Sequence, residues 1–306
     1  MRIYSLGITV INTGEDKIMI NTLINGLCLG GIFALIALGY TMVYGIAKML
    51  NFAHGDIIMV GAYAILTTLS LTGLTVPAVV VAVVVCTLLG IVTEKVAYRP
   101  LRGASPLAVL ITAIGVSYLL QSIAQLVYGT KSRSISIGNF GTVDFFGVSI
   151  SVSSLFTLGL CLVIMVGLTL FINKTRIGCA MLAVSEDRGA AQLMGINVNG
   201  IITLTFAIGS ALAAFASMCY LMQIPSVTPT LGSMPGIKAF TAAVIGGIGS
   251  IPGAMIGGIL LGVIEKLALS VPALAPYTTA IEFGLLIVIL LFKPTGLLGK
   301  KTREKV

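Results

Sequence analysis

Long runs of apolar residues, separated by short clusters of charged ones, dominate the chain. Charged side chains are absent from six long stretches: 18–47, 57–93, 103–130, 145–173, 189–237 and 239–264. A helix needs about 20 consecutive apolar residues to cross the hydrocarbon core of a bilayer. The pattern therefore predicts an all-α polytopic membrane protein, and we expect residues 1–306 to form a single transmembrane domain.

The apolar runs divide into eight predicted membrane segments. Seven have the length of one transmembrane helix: 20–46, 55–71, 77–96, 104–128, 154–172, 201–223 and 277–292. The eighth, 238–266, is interrupted by glycine and proline. It is too short for two full crossings, because about 14 residues per arm reach only about 20 Å of a core near 30 Å.

Composition excludes several classes of protein. The 306 residues are 57% hydrophobic and 9% charged, with a mean hydropathy of +1.10, whereas soluble domains carry about a quarter charged residues. The net charge of +8 does not indicate a nucleic-acid partner, because the basic residues lie at the ends of apolar runs and are not interleaved with aromatic residues. The five cysteines lie far apart and form no Cys/His cluster, so we expect no metal site and no redox pair.

The positions of the basic residues predict the orientation. Cytoplasmic loops collect Lys and Arg, so we place three basic clusters in the cytoplasm. Counting crossings from them makes the C-terminus cytoplasmic and the N-terminus, 129–153 and 224–235 external. Residues 3–11 are interpreted as an extramembrane or interfacial segment, with a cleaved signal sequence as the alternative. The clusters are Lys95, Arg99 and Arg102; Lys174, Arg176 and Arg188; and Lys293, Lys300, Lys301, Arg303 and Lys305.

The interrupted segment 238–266 must cross an even number of times if the tail is cytoplasmic. We therefore predict a pair of short helices that meet at a glycine-rich break inside the membrane. Irregular backbone at that depth is tolerated only where protein or a water-filled cavity covers it, so the break is a candidate wall of a translocation pathway. Its residues are Gly246, Gly247, Gly249, Pro252 and Gly253.

A second group of polar residues lies between the first two segments. These residues would line the same pathway if the turn folds back into the bundle, because ionisable groups at membrane depth tend to line paths or to pair. Lys48 is typical of an interface, however, and we favour the simpler interpretation that Asn51 or Asp56 caps a helix there. The group comprises Tyr40, Tyr44, Asn51, His54 and Asp56.

The predicted cytoplasmic loop 174–199 contains a short helix. Ser185 is the predicted N-cap, Glu186 and Asp187 fall in the first turn, where the helix dipole favours negative charge, and Gly195 ends the helix. Such a helix is either a docking element for a partner's groove or an ordinary amphipathic connector.

Several longer motifs resemble one known family. They are Gly39-Tyr-Thr-Met-Val-Tyr-Gly45, Asn51-Phe-Ala-His-Gly-Asp56, Tyr98-Arg99-Pro100, the loop 186–196, the run 238–258 and the closing 294–299. Together they resemble the LivH-type permease subunit of bacterial branched-chain amino acid ABC importers over nearly the whole chain.

The resemblance implies an inner-membrane importer subunit that translocates hydrophobic amino acids. It implies a second, related permease in a heterodimer, two cytoplasmic ATPases and a periplasmic or lipid-anchored solute-binding protein. The loop helix would then be the coupling helix, similar to the E-A-A-x-x-x-G pattern of importers. Ala190, Ala191 and Gly195 match it, Gly189 replaces the Glu, and Glu186, Asp187 and Arg188 precede it.

No phosphate-binding loop of the type G-x-x-x-x-G-K-[ST] occurs in the chain. ATP and Mg²⁺ would therefore be used by the partner subunits. The chain itself is expected to be neither an enzyme nor a cofactor-binding protein.

Three alternatives stay open. The same machinery could carry urea, short amides or other amino acids. An ion-coupled secondary transporter would need intramembrane carboxylates, and only Asp56, Glu265 and Glu282 are candidates, although Glu265-Lys266 is typical of an interfacial helix end. A membrane enzyme would need a nucleophile–base pair or a metal cluster, and the sequence contains no recognisable one.

Overall fold

The computed structural model describes residues 13–135, 137, 141–145 and 148–299, so the predictions for residues 3–11 and for the end of the basic tail lie outside the described residues. Helices account for most of the described chain: α1 (Thr13–Ala47), α2 (His54–Thr72), α3 (Thr75–Thr93), α4 (Pro106–Tyr128), α5 (Val152–Lys174), α6 (Arg176–Glu186), α7 (Arg188–Leu193), α8 (Val198–Gln223), α9 (Ser233–Gly246), α10 (Ile251–Ser270) and α11 (Thr278–Phe292). A π turn and a 3-10 turn extend α3 to Leu101.

Among the described residues, four short strands form two small antiparallel ladders. In one, β1 (Arg133–Ser134) pairs with β4 (Ser226–Val227). In the other, β2 (Thr142–Phe145) pairs with β3 (Val148–Ser151).

Eight helices of the described chain are long and apolar enough to cross a membrane, namely α1, α2, α3 with its extension, α4, α5, α8, α10 and α11 with the 3-10 turn before it. This confirms the predicted all-α polytopic architecture. Seven of the eight match the predicted segments to within a few residues, because the length and apolarity of a membrane helix are local properties of the sequence.

Helix α1 lies at the centre of the bundle and packs against α5, α8, α9 and α10. Its middle is fully buried, including Ile32, Leu35 and Ile36. The peripheral helices instead expose apolar side chains, such as Val84 on α3 and Leu126 on α4. A helix that is apolar on its exposed side as well as on its buried side is typical of contact with lipid.

One end of the bundle collects the basic loops. Arg102, after α3, donates a hydrogen bond to Asn199 at the start of α8, and Arg188 donates to the carbonyl of Ala47 at the end of α1. After α11, the amide of Leu298 donates to the carbonyl of Gly246 over 2.9 Å. We call this end the basic face; it agrees with the prediction for the first two clusters and for Lys293, the described residue of the third.

Helix α2 begins inside the bundle. Its first residue, His54, lies against Gly39 of α1, and the imidazole occupies the space that a Cβ on Gly39 would need. Gly39 precedes the end of α1 by eight residues, which corresponds to about 12 Å of helix. The segment after Ala47, in which Lys48 has a φ of 52°, therefore turns back into the bundle before α2 starts.

Helix α9 also begins inside the bundle, beside the first turn of α2. Gly232 and Gly236 pack directly on Gly55, and the 14 residues of α9 then cover about 21 Å towards the basic face. Residues 224–232, which were predicted to be external, thus enter the bundle from the opposite end. Helices α2 and α9 start at one depth and run to opposite faces.

The glycine-rich break exists, but its predicted depth was wrong. Gly247, with a φ of 109°, and Gly249 form the turn between α9 and α10, and Gly249 lies beside Gly45 in the last turn of α1. The break is therefore at the basic face. Helix α9 starts halfway through the bundle and ends at the basic face. One full-length helix, the 20-residue α10, then carries the chain from the basic face to the opposite face.

Candidate functional site

The polar residues between α1 and α2 are buried. Asn51, His54 and Asp56 are each exposed by 2% or less. The hydroxyl of Tyr98 donates to Asn51 Oδ1 over 2.7 Å, while the N-cap position of α2 is Ala53, with no side-chain cap. The favoured interpretation, an interfacial cap by Asn51 or Asp56, was wrong, because the turn folds back and carries these side chains into the bundle.

His54 and the two tyrosines of α1 lie next to this turn. The His54 ring meets the Tyr40 ring edge-on, with 4.9 Å between centroids, and its Nε2 has no hydrogen-bond partner among the described residues. Tyr44 and Asn51 line a narrow crevice against Phe240 of α9. These contacts place Tyr40, Tyr44 and the turn against α9, which the sequence did not indicate.

A larger cavity, of about 380 Å³, lies between α2, α4 and α9 and is open to the outside of the chain, where Ile114 and Ile237 are exposed. Pockets of this size hold small molecules in other proteins. Polar groups line one part of it, and the remainder is apolar, with Leu110, Ile114 and Ile237 among its walls. We call it the Asp56 cavity.

Gln121 of α4 joins the polar groups of the Asp56 cavity. Its side-chain amide nitrogen lies 2.9 Å from Asp56 Oδ1, 3.2 Å from Ser233 Oγ and 3.3 Å from Ser117 Oγ. Asp56 is therefore hydrogen-bonded to a helix that lies 65 residues further along the chain. Neither Gln121 nor Ser233 was predicted from the sequence, because neither belongs to a charged or motif-like group.

The wall of the cavity requires glycine where α2 and α9 meet. A Cβ at Gly55 would lie 2.5 Å from the carbonyl oxygen of Gly232 and 3.2 Å from Gly236 Cα, so no larger residue fits without moving the helices apart. Both helices begin here, and the positive ends of their dipoles are near Asp56, which is in the first turn of α2.

The predicted residues of the glycine break lie elsewhere. Gly246 and Gly253 pack on each other across the turn between α9 and α10, and Ser250 caps α10 by accepting from the Gly253 amide over 3.2 Å. Pro252 is in the first turn of α10. The structure therefore does not bring Gly246, Gly247, Gly249, Pro252 and Gly253 to the Asp56 cavity, although α9 connects the two places.

The remaining candidate carboxylates form an ion-pair cluster with Lys238 of α9. Lys238 Nζ lies 2.8 Å from Glu265 Oε1 and 3.1 Å from Glu282 Oε1, and the Glu282 side chain is 1% exposed. The interfacial interpretation of Glu265 was wrong, because its carboxylate points to Lys238 inside the bundle. Lys238 was the available signal, as the single charge in a long apolar stretch.

The predicted coupling helix is two helices. Ser185 and Glu186 end α6, and the Ser185 hydroxyl donates to the carbonyl of Leu182. The N-cap of α7 is Asp187, which accepts from the Ala190 amide over 3.0 Å, so the predicted cap at Ser185 was wrong by two residues. Gly195 follows α7 with a φ of 81°, as expected of the residue that ends the helix.

Helix α7 is fixed to the bundle through two residues. Ala191 is buried, and Arg188 donates to the carbonyls of Ile46 and Ala47. Those carbonyls are in the last turn of α1, where they have no partner within the helix. Burial and the nearby charge of Arg102 lower the pKa of the Arg188 guanidinium, which nevertheless stays protonated. Glu186, Asp187, Gly189, Ala190 and Gly195 are exposed.

Comparison with known proteins gives consistent matches. Residues 22–291 match the family described as branched-chain amino acid transport system / permease component. The chain is 48% identical over 298 residues to the high-affinity branched-chain amino acid transport system permease protein BraD of Pseudomonas aeruginosa, covering 93% of this chain and 97% of that one. It is 43% identical to the corresponding protein LivH of Escherichia coli K12, with 92% and 96% covered. A probable LivH of Methanocaldococcus jannaschii is 31% identical, with 88% and 89% covered.

Proposed function

The chain belongs to the branched-chain amino acid permease family, and we propose that it is a membrane subunit of an ATP-driven importer of branched-chain, hydrophobic amino acids. The importer would act in the bacterial inner membrane, and residues 1–306 would serve as one transmembrane permease domain. The proposed cargo is supported by the relatives, which are named as branched-chain amino acid permeases and match nearly the whole chain.

The contact between α7 and α1 carries the coupling part of the proposal. Arg188, the first residue of α7, holds the carbonyls that end α1, and the chain leads from there directly into the buried turn before α2. A partner that moves α7 would therefore move the end of α1 and, through the turn, the first residues of α2 at the Asp56 cavity. The exposed Leu193 and Met194 at the end of α7 are suited to insertion into a groove.

The proposed partners are those that the resemblance to importer permeases implies. Two cytoplasmic ATPases would dock at the basic face and use ATP and Mg²⁺, while a solute-binding protein would deliver the amino acid at the opposite face. A second, related permease would pack against this chain and complete the pathway. The C-terminus would be cytoplasmic and the N-terminus external, since basic loops are retained in the cytoplasm.

Two sets of proteoliposomes test the proposal. One contains this chain with the second permease, the ATPases and the binding protein; the other contains this chain alone. We expect leucine uptake only in the first set and only with ATP and Mg²⁺. Uptake by the chain alone, driven by an ion gradient, would instead support a secondary transporter. Competition by unlabelled valine, urea and acetamide identifies the solute class, and we expect valine alone to compete.

A further inference from the structure

Asp56 differs from the other buried carboxylates of the described chain because it has no basic partner. Glu94 is paired with Arg102, and Glu282 is paired with Lys238. No Lys, Arg or His nitrogen of the described residues lies within ion-pair distance of Asp56, although its residue exposure is only 2%. Its known contacts are the neutral side chains around Gln121.

The depth of Asp56 makes this lack of a partner costly. Gln121, which contacts it, is 15 residues from the start of α4 and seven from its end, which places the carboxylate roughly 20 Å from one end and 10 Å from the other. An ionised carboxylate in such surroundings is stabilised by an opposite charge, by hydrogen bonds or by helix N-termini. Gln121 supplies a hydrogen bond, and the starts of α2 and α9 supply two helix N-termini. No cation of the described residues accompanies them.

The cavity next to Asp56 fits a ligand that has an ammonium group and an aliphatic side chain. Its polar part contains Asp56, Ser117 and Gln121, and its other walls include Leu110, Ile114 and Ile237. The volume of about 380 Å³ is at the lower end of the range for small-molecule sites. A branched aliphatic side chain would bury apolar surface there while a primary ammonium group reaches the carboxylate.

We propose that Asp56 receives the α-ammonium group of the translocated amino acid and that the apolar wall of α4 and α9 receives its side chain. This inference rests on the proposed function, since it takes the amino acid as the solute. It goes further by giving this chain its own selectivity, which favours solutes with a primary ammonium group over neutral ones such as urea and amides.

The first experiment replaces the carboxylate in the complete importer. Asp56→Asn keeps the shape and the acceptor for Gln121 but removes the charge. In proteoliposomes with all subunits, we expect leucine uptake to fall at least about tenfold, because the charge that attracts the ammonium group is absent. A tenfold loss corresponds to about 1.4 kcal/mol. ATP hydrolysis stimulated by the binding protein should persist, because α7 is untouched. Asp56→Glu should restore part of the uptake.

A second pair of variants tests the proposal even if the importer with Asp56→Asn does not assemble. Ser117→Lys places a tethered ammonium group beside Asp56, and Ser117→Met places an uncharged chain of similar length there. We expect the Lys variant to transport at least about five times less leucine than the Met variant. Equal transport by the two would overturn the proposal, as would normal uptake by Asp56→Asn.

The matched control is on the same helix. Gln125→Leu changes an exposed residue one turn beyond Gln121 and should leave uptake unchanged, whereas Gln121→Leu should lower it. Failure of the proposed function has a different signature, because the unmodified complex would then show no ATP-dependent leucine uptake at all. Normal uptake in every variant would remove only the role of Asp56.

Discussion

Two sites with buried carboxylates lie on opposite sides of α9, and they differ in whether a cation accompanies the carboxylates. On one side, Lys238 reaches Glu265 and Glu282 and also lies 6.0 Å from the centre of the Phe33 ring. On the other side, Asp56 has neutral hydrogen-bond partners and an adjacent cavity. Asp56 and Glu282 are similarly buried, so burial alone does not identify a functional group.

The difference follows from what each cluster joins. The Lys238 cluster links α9 to α10 and α11, and two carboxylates share its one lysine in a space that side chains fill, which suits a structural role. The Asp56 cluster links α2, α4 and α9 around a space that protein does not fill. A carboxylate that lacks a cation beside a cavity is available to a ligand, whereas one that is already paired is not.

The largest expected effect comes from removing the cation of the Lys238 cluster. Lys238→Met leaves two carboxylates without a cation, and loss of one partner from a buried ion pair costs about 3–5 kcal/mol. We expect a strong loss of thermal stability of the detergent-solubilised chain, with partial recovery when Glu265→Gln and Glu282→Gln are added. Asp56→Asn should change stability far less. The comparison fails if Lys238→Met melts at the temperature of the unmodified chain.

The second largest effect is expected from a mutation at the junction of α2 and α9. Gly55→Ala introduces a Cβ against Gly232 and Gly236, and overpacking of this kind costs about 1–3 kcal/mol. We expect both thermal stability and leucine uptake to fall, because the cavity wall must move. Gly115→Ala on α4 is the matched control, since its Cβ would meet no atom within 4 Å. Equal behaviour of the two alanine variants would show that the close approach is unimportant.

A smaller effect is expected where α7 meets α1, away from both carboxylate clusters. Arg188→Gln loses charge-assisted hydrogen bonds to the carbonyls that end α1, and we expect leucine uptake per ATP hydrolysed to fall about fivefold, or about 1 kcal/mol. The melting temperature should stay close to normal, because both carboxylate clusters remain intact. Arg176→Gln, an exposed change at the start of α6, serves as the control. An unchanged ratio in Arg188→Gln would contradict the proposed route of coupling.

The smallest effect concerns the cap of α7. Asp187→Ala removes the acceptor of the Ala190 amide, and loss of such a cap costs about 0.5–1 kcal/mol. Hydrogen exchange at the Ala190 amide should become faster by a few-fold. Ser185→Ala should have no such effect, because the Ser185 hydroxyl donates to Leu182 within α6. The reverse result would restore Ser185 as the cap.

Local patterns predicted the parts of this protein that depend on neighbouring residues. Seven membrane segments and the end of the loop helix at Gly195 were correct to within a few residues. The cap was misplaced because Ser185 and Asp187 are both good N-cap residues, and only the backbone decides between them. The location of Asn51 and Asp56 was wrong for a different reason, since Lys48 suggested an interface that the chain in fact folds away from.

The sequence by itself determined which segments cross the membrane, because the thickness of the bilayer sets the length of apolar helix that can span it, and that length is read from a local run of residues. Only the tertiary structure decided where α2 and α9 begin and which carboxylates are paired. Asp56 meets Gln121 from 65 residues away, and Lys238 meets Glu282 from 44. Depth and charge balance depend on such distant contacts, and no local pattern contains them.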